Sequence, residues 1–191
     1  AANIPSWKEV HLKDFLESRF GLPVSVNNDA NCYAMGAYGK YPLDSKPEVL
    51  VTVTLGTGIG IGVVDNGNLF CGVNCGVGEI GYLDYKDGCL EDYCSRQFFD
   101  RHGVQCHEAE AALSGDADAL KLFEEFGRNL GHALTILLFA YDPSHIVFGG
   151  GIANAYPLFR NSMEEYIRSK YPFSANLDKL QIDVHTGNDI P

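Results

Sequence analysis

Basic residues are scarce in this chain. Lys and Arg total 14 against 25 Asp and Glu, a formal net charge of −11 over 191 residues. So acidic a surface repels phosphate backbones, which makes this segment a poor candidate for a nucleic-acid platform. Long apolar runs are also missing. The longest, Ala133 to Ala140 (ALTILLFA), falls well short of the roughly 20 residues needed to cross a bilayer. It reads as a buried helix end, stopped by Asp142-Pro143. The opening AANIPSWKEV has no basic stretch leading into an apolar one, so it is not a secretion signal. No repeat, low-complexity tract or flexible linker interrupts the chain. These absences point to a cytoplasmic protein that neither spans nor binds a membrane.

What is present is the composition of a folded domain. Hydrophobic residues make up 46% and charged residues 20%, and 191 residues suffice for one substantial core. The expectation is a single domain over residues 1–191. Six cysteines occur, at Cys32, Cys71, Cys75, Cys89, Cys94 and Cys106. In a chain this long they are expected as reduced thiols, since no disulfide framework is needed for stability.

Apolar residues from Trp7 to Phe20 recur at helical spacing, with Gly21 as a stop and Val24-Ser25-Val26 as a short strand after Pro23. A small-residue helix is expected over 30–38. Two β-branched strands follow, Val49 to Leu55 and Ile59 to Val64, joined by Gly56-Thr57-Gly58. Asn66-Gly67 marks a hairpin turn. Residues 90–138 read as mainly helical, with Ser114 or Asp116 capping a long helix from Ala117. Strand 144–148, the triplet Gly149-Gly150-Gly151, helix 157–170 and strand 181–185 complete the pattern. A hairpin followed by alternating helices and strands predicts an α/β domain with a mixed β-sheet flanked by helices.

Four segments could carry chemistry. Asn27-Asn28-Asp29-Ala30-Asn31 lies between a strand and a helix. It suits a plain helix cap, or a carboxylate base at Asp29 with Asn28 bonding a hydroxylated ligand, at the strand ends where open α/β sheets bind ligands. Thr54-Leu55-Gly56-Thr57-Gly58-Ile59-Gly60 can present bare N–H groups to an anion, with Thr54 and Thr57 adding hydroxyls; no Lys-Ser/Thr pair follows, so it is not a Walker loop. Gly78-Glu79-Ile80-Gly81-Tyr82, followed by Gly88-Cys89-Leu90-Glu91, places two carboxylates in glycine-flanked loops, which suits a hydroxyl-rich ligand. Phe148-Gly149-Gly150-Gly151, at a strand-to-helix junction, offers bare backbone to a nucleotide or makes a tight packing turn.

Taken in this order, NNDAN, LGTGIG, GEIG with GCLE, and IVFGGG resemble the motifs of the ROK family (repressors, open reading frames and kinases) of the actin-like ATPase superfamily, from about residue 3 to 190. The resemblance implies the actin-like, ribonuclease H-like fold and a glucokinase-like activity: ATP-dependent phosphorylation of a hexose. It implies Asp29 as general base, Asn28, Glu79, Tyr82 and Glu91 at the sugar, Gly56, Thr57 and Gly58 at the ATP phosphates, and Gly149, Gly150 and Gly151 at the adenosine. Mg²⁺ accompanies ATP, and a homodimer is the expected assembly. The alternative is a sugar-sensing ROK regulator with an upstream DNA-binding domain; retention of Asp29 with both glycine motifs favours the kinase.

The sequence departs from the family pattern in three places. The Asp-x-Gly-Gly-Thr loop of the smaller N-terminal lobe is absent, as is a final helix after His185, so a fragment without turnover of its own is expected, with Mg²⁺ positioned mainly by the other lobe. Tyr82 stands where the family has a zinc-binding His, and residues 84–88 leave no room for its Cys-x-Cys. Only Cys89 remains of four ligands, and structural zinc needs all four, so no zinc is expected. Loss of that His also bears on hexose specificity.

Overall fold

The computed structural model describes residues 10–104 and 115–186. Helix α1 covers Leu12–Phe20 and closes on Gly21 in the left-handed conformation (φ 65°). The Trp7 end of the expected helix lies outside the described residues. Val24 to Val26, expected as a strand, joins no sheet among the described residues. The Val24 N–H donates instead to Glu17 Oε1 at 3.0 Å, so the β-branched run is held by a side chain rather than a ladder.

Helix α2 covers Asp29–Gly39. Strand β1 (Val49–Leu55) pairs antiparallel with β2 (Ile59–Asp65), and β2 pairs with the short β3 (Asn68–Leu69). The β2–β3 turn has positive φ at both Asn66 (46°) and Gly67 (82°), the geometry that Asn-Gly favours and that matches strand twist. A 3₁₀ turn at Ile80–Tyr82 leads into the hairpin of β4 (Asp84–Tyr85) and β5 (Gly88–Cys89), then helices α3 (Leu90–Cys94) and α4 (Arg96–Arg101). The long helix α5 runs from Ala117 to Tyr141; Asp116 caps it by accepting from the Asp118 and Ala119 N–H groups. Strand β6 (His145–Gly149), a 3₁₀ turn (Gly151–Ala155), α6 (Tyr156–Lys170), α7 (Ser174–Leu177) and β7 (Gln181–Val184) follow.

The main sheet has the order β3-β2-β1-β6-β7, with β1, β6 and β7 parallel. The alternating side chains of β1 and β2 divide its two faces. Val51, Val53, Leu55, Ile59, Ile61 and Val63 enter the larger core under α5 and α6 with Phe126, Leu134, Phe148 and Phe159. Leu50, Val64 and Val147 meet Ala34, Ala37 and Tyr38 of α2 on the opposite face. Burial on both faces explains the near-continuous apolar composition of β1 and β6. The mixed α/β architecture is the one the sequence pattern predicts.

Among the described residues Cys32, Cys71, Cys75, Cys89 and Cys94 are free thiols; Cys106 lies outside them. No helix among the described residues is long and apolar enough to cross a membrane.

Candidate active site

Three positions in register form the floor of the site. Thr54 on β1 faces Gly60 on β2 and Gly149 on β6. This row lies at the carboxyl ends of β1 and β6, where ligands of open α/β sheets collect. Helix α2 lies across it. The Ala30 Cβ is 3.1 Å from where a Gly60 Cβ would stand, and the Ala30 carbonyl is 2.5 Å from the same point on Gly62. Farther along, the Tyr33 hydroxyl fills the space over Gly149 and meets His185 Nδ1 at 3.3 Å. Bare backbone on both strands lets the first turn of α2 come down onto the sheet.

That first turn carries the Asn28-Asp29 pair. Asn28 is the N-cap; its Oδ1 accepts from Ala30 N–H at 2.8 Å and from Asn31 N–H at 3.3 Å. A cap of this kind stabilises a helix by about 1 kcal/mol. Asn27 Oδ1 reinforces the turn by accepting from the Asn28 N–H and from Asn31 Nδ2. Asp29 is exposed. One oxygen, Oδ1, accepts from the Ala30 N–H at 2.9 Å, and among the described residues the other takes no hydrogen bond. The cap reading therefore describes Asn28 Oδ1, while Asp29 keeps an oxygen able to take a proton.

The Gly56-Thr57-Gly58 turn is closed by Gly56 N–H donating to the Gly58 carbonyl at 3.0 Å. No atom outside the turn stands over Gly56 within 4 Å, and Thr57 is exposed. Room for an anion exists there. Thr54 does not join it: its hydroxyl donates to the Gly60 carbonyl at 3.2 Å, which corrects the expectation of a free donor. Space over Gly58 is occupied by the Glu91 carboxylate. Glu91 Oε2 accepts from the Ile59 N–H at 3.2 Å, and Oε1 accepts from Gln97 Nε2 at 3.2 Å.

Glu79 and Tyr82 bracket the 3₁₀ turn, and both are exposed; Glu79 makes no capping bond. Gly78, at φ 88°, packs against the Ile61 backbone and side chain, and Gly81 is buried beside Glu91. The GEIG segment and Glu91 thus share one neighbourhood with the glycine turn. At the end of β6, Gly150 has φ 86° and lies so close to the Leu55 carbonyl that no side chain fits. Gly151 is open, with nothing within 4 Å of a Cβ position. A 260 Å³ cavity is lined by Tyr156, Arg160, Glu164 and Arg168 of α6 with Leu180 and Ile182, none of them a candidate site residue.

Cys89 takes part in a helix cap. It is the N-cap of α3, its side chain accepts from the Asp92 N–H, and Asp92 Oδ2 accepts from the Cys89 N–H at 2.9 Å. The Cys89 N–H bond, with Arg101 adding to it, holds the Asp92 carboxyl below the usual carboxylate range. Where the resemblance would put zinc ligands, Lys86 lies over the Tyr93 ring (4.6 Å) and pairs with Glu125 at 3.6 Å. Among the described residues no group of three His, Cys, Asp or Glu side chains could hold a metal ion.

Sequence reasoning missed Tyr33, Arg96 and Gln97. The first had a signal: Asp29 and Tyr33 stand at i and i+4, one above the other on a helix face. The other two had none.

A glycine-floored, mixed-sheet α/β domain with this strand order has the actin-like ATPase fold. The chain belongs to the ROK family, whose profile matches residues 1–181. It is 33% identical to a glucokinase of Halalkalibacterium halodurans, over 99% of this chain and 67% of that protein. It is 29% identical to a xylose repressor of Bacillus spizizenii, over 92% of this chain and 50% of that protein. A solved ROK family glucokinase from Streptomyces griseus, in complex with glucose and AMPPNP, superposes with a TM-score of 0.75 at 27% identity, covering 94% of this chain and 68% of that one. The chain spans about half the length of the repressor.

Proposed function

We propose that this chain supplies the sugar and nucleotide walls of an ATP-dependent hexose kinase, with Asp29 as general base. The observation that carries it is the first turn of α2, which rests on the Gly60–Thr54–Gly149 row with one Asp29 oxygen unengaged among the described residues. In this reading a hexose hydroxyl gives its proton to Asp29, its oxygen attacks the γ-phosphorus of ATP, and ADP leaves in line. Asn28, Glu79, Tyr82 and Glu91 hold the remaining hydroxyls. The Gly56-Thr57-Gly58 turn faces the phosphates, with the Gly56 N–H already given to the Gly58 carbonyl, and Gly149, Gly150 and Gly151 back the adenosine, Gly151 being the open one of the three. The openness at Gly56 and Gly151 fits a nucleotide. When bound with ATP, Mg²⁺ would neutralise charge on the transferring phosphoryl group.

Such chemistry asks for orientation and charge stabilisation more than covalent help. The similarity to a glucokinase over nearly the whole chain supports it, and a glucose-type hexose is the proposed substrate. The xylose repressor match supports a second reading, a sugar-sensing regulator. A coupled ATP assay over a hexose panel, alongside sugar calorimetry, separates them. Sugar-dependent ADP release supports the kinase; sugar binding without any ADP release, in the full-length protein, supports the regulator. The homodimer and cytoplasmic location belong to the same proposal, and light scattering tests the first.

A further inference from the structure

We propose that Gln97 is a positioning residue, holding the Glu91 carboxylate so that one side chain serves the hydroxyl site and the glycine turn together. This rests on the reading of Glu91 as a hydroxyl ligand and deepens it. Glu91 stands between three pieces of backbone. Its Oε2 fills the space over Gly58, accepts from the Ile59 N–H at 3.2 Å, and lies 3.7 Å from a Cβ position on Gly81. Its Oε1 accepts from Gln97 Nε2 at 3.2 Å. Among the described residues no Lys or Arg pairs with Glu91. Two neutral donors therefore set its orientation.

The corner between α3 and α4 places Gln97 for this. Buried Ser95 caps α4 by accepting from the Gln97 N–H at 3.2 Å, which fixes where the Gln97 side chain begins. The next residue, Arg96, donates its N–H to the Gly56 carbonyl at 2.9 Å. So the corner grips the turn at both ends, through Arg96 at Gly56 and through Glu91 at Ile59. A carboxylate accepts further bonds after these two. A hydroxyl donated to Glu91 then bears on the same group that orders the turn, and an anion on the turn bears on the hydroxyl site. Linkage makes that coupling reciprocal.

The test uses Gln97→Met, which keeps length and packing without the donor, and Gln97→Glu, which puts a carboxylate against a carboxylate. Amide exchange at Ile59 is read first, in the unliganded protein, and needs no assumption about substrate. Glucose and a non-hydrolysable ATP analogue are then titrated separately and together. A lost hydrogen bond to a charged acceptor is worth about tenfold in an equilibrium. Gln97→Met should raise Ile59 exchange by about that factor, weaken both ligands similarly and remove their mutual enhancement, with Gln97→Glu worse. Unchanged Ile59 exchange and unchanged affinities in Gln97→Met overturn the proposal. So does a general rise in exchange across β1 and β2, which marks a merely structural role. If the parent protein binds no glucose, the hydroxyl-site reading fails, while Ile59 exchange still decides whether Gln97 holds Glu91.

Discussion

The Ala30 carbonyl oxygen stands 2.5 Å from the point where a Gly62 Cβ would lie, and the Ala34 Cβ is 2.6 Å from that point. Helix α2 is thus seated on bare backbone, and the seat sets the height of Asp29 above the sheet. Gly62→Ala must lift the helix. Overpacking of this kind costs about 1–3 kcal/mol, and each kcal/mol lowers the melting temperature by about 2–4 °C in a chain of this size. Thermal unfolding of Gly62→Ala should show that loss. A melting curve unchanged from wild type would mean that α2 does not rest where the structure has it.

Neighbouring glycines at the end of β6 should behave differently. Gly150 has a left-handed φ of 86° and faces the Leu55 carbonyl, whereas nothing lies within 4 Å of a Cβ on Gly151. Gly150→Ala should destabilise the fold by more than about 1 kcal/mol, since strain and overlap act together. Gly151→Ala should fold normally and weaken binding of an ATP analogue. Equal stability losses in the two variants would contradict this division of roles.

Burial lowers the pKa of His132 below its ordinary value; its ring stacks on Tyr85 at 4.7 Å and its Nδ1 meets the Tyr166 hydroxyl at 3.1 Å. The unfolded chain then takes up a proton at this site more readily than the folded one. Its contribution is full above the unfolded histidine pKa of about 6.5 and declines as pH falls through that value toward the folded one. His132→Phe keeps the stacking and removes the titration, so its stability should fall less steeply from pH 7 to pH 5. Parallel curves from denaturant melts would show that His132 does not carry this dependence.

Much of this fold is written locally. β-Branched runs mark β1 and β2, Asn66-Gly67 marks the β2–β3 turn, and Ser114 or Asp116 marks the start of α5, because strand pleat, turn φ and helix caps are properties of a few adjacent residues. Val24-Ser25-Val26 reads as a strand on the same grounds, but a ladder needs a neighbour, and the Val24 N–H found a side chain instead. Site geometry is less legible. Helical spacing puts Tyr33 on the Asp29 face, but Tyr33 over Gly149, Gln97 beside Glu91 and Arg96 at Gly56 are contacts between elements that only the fold brings together. Thr54 shows the opposite limit: its residue type suits a ligand, yet its register opposite Gly60 engages the hydroxyl within the sheet.

Glu91 should separate binding from chemistry. Glu91→Gln keeps the shape but replaces one acceptor oxygen with a donor beside Gln97 and Ile59. Weaker hexose affinity with a smaller change in turnover is expected, the pattern of a lost ground-state contact. Titration of glucose against the variant, paired with kcat, checks it. A fall in kcat with unchanged KM would move Glu91 into the chemical step.

If Asp29 removes the hydroxyl proton, Asp29→Asn in the full-length protein carrying this chain should separate binding from turnover. The amide keeps the shape and can still accept from the Ala30 N–H, but it cannot take a proton. Loss of a general base lowers turnover by about 10²–10⁴-fold, and hexose affinity should stay near wild type. The measurement is ADP release under saturating ATP and hexose, beside calorimetric titration of the same hexose. Binding without turnover is the expected result. Turnover within a few-fold of wild type would contradict it and leave Asp29 as part of the helix cap.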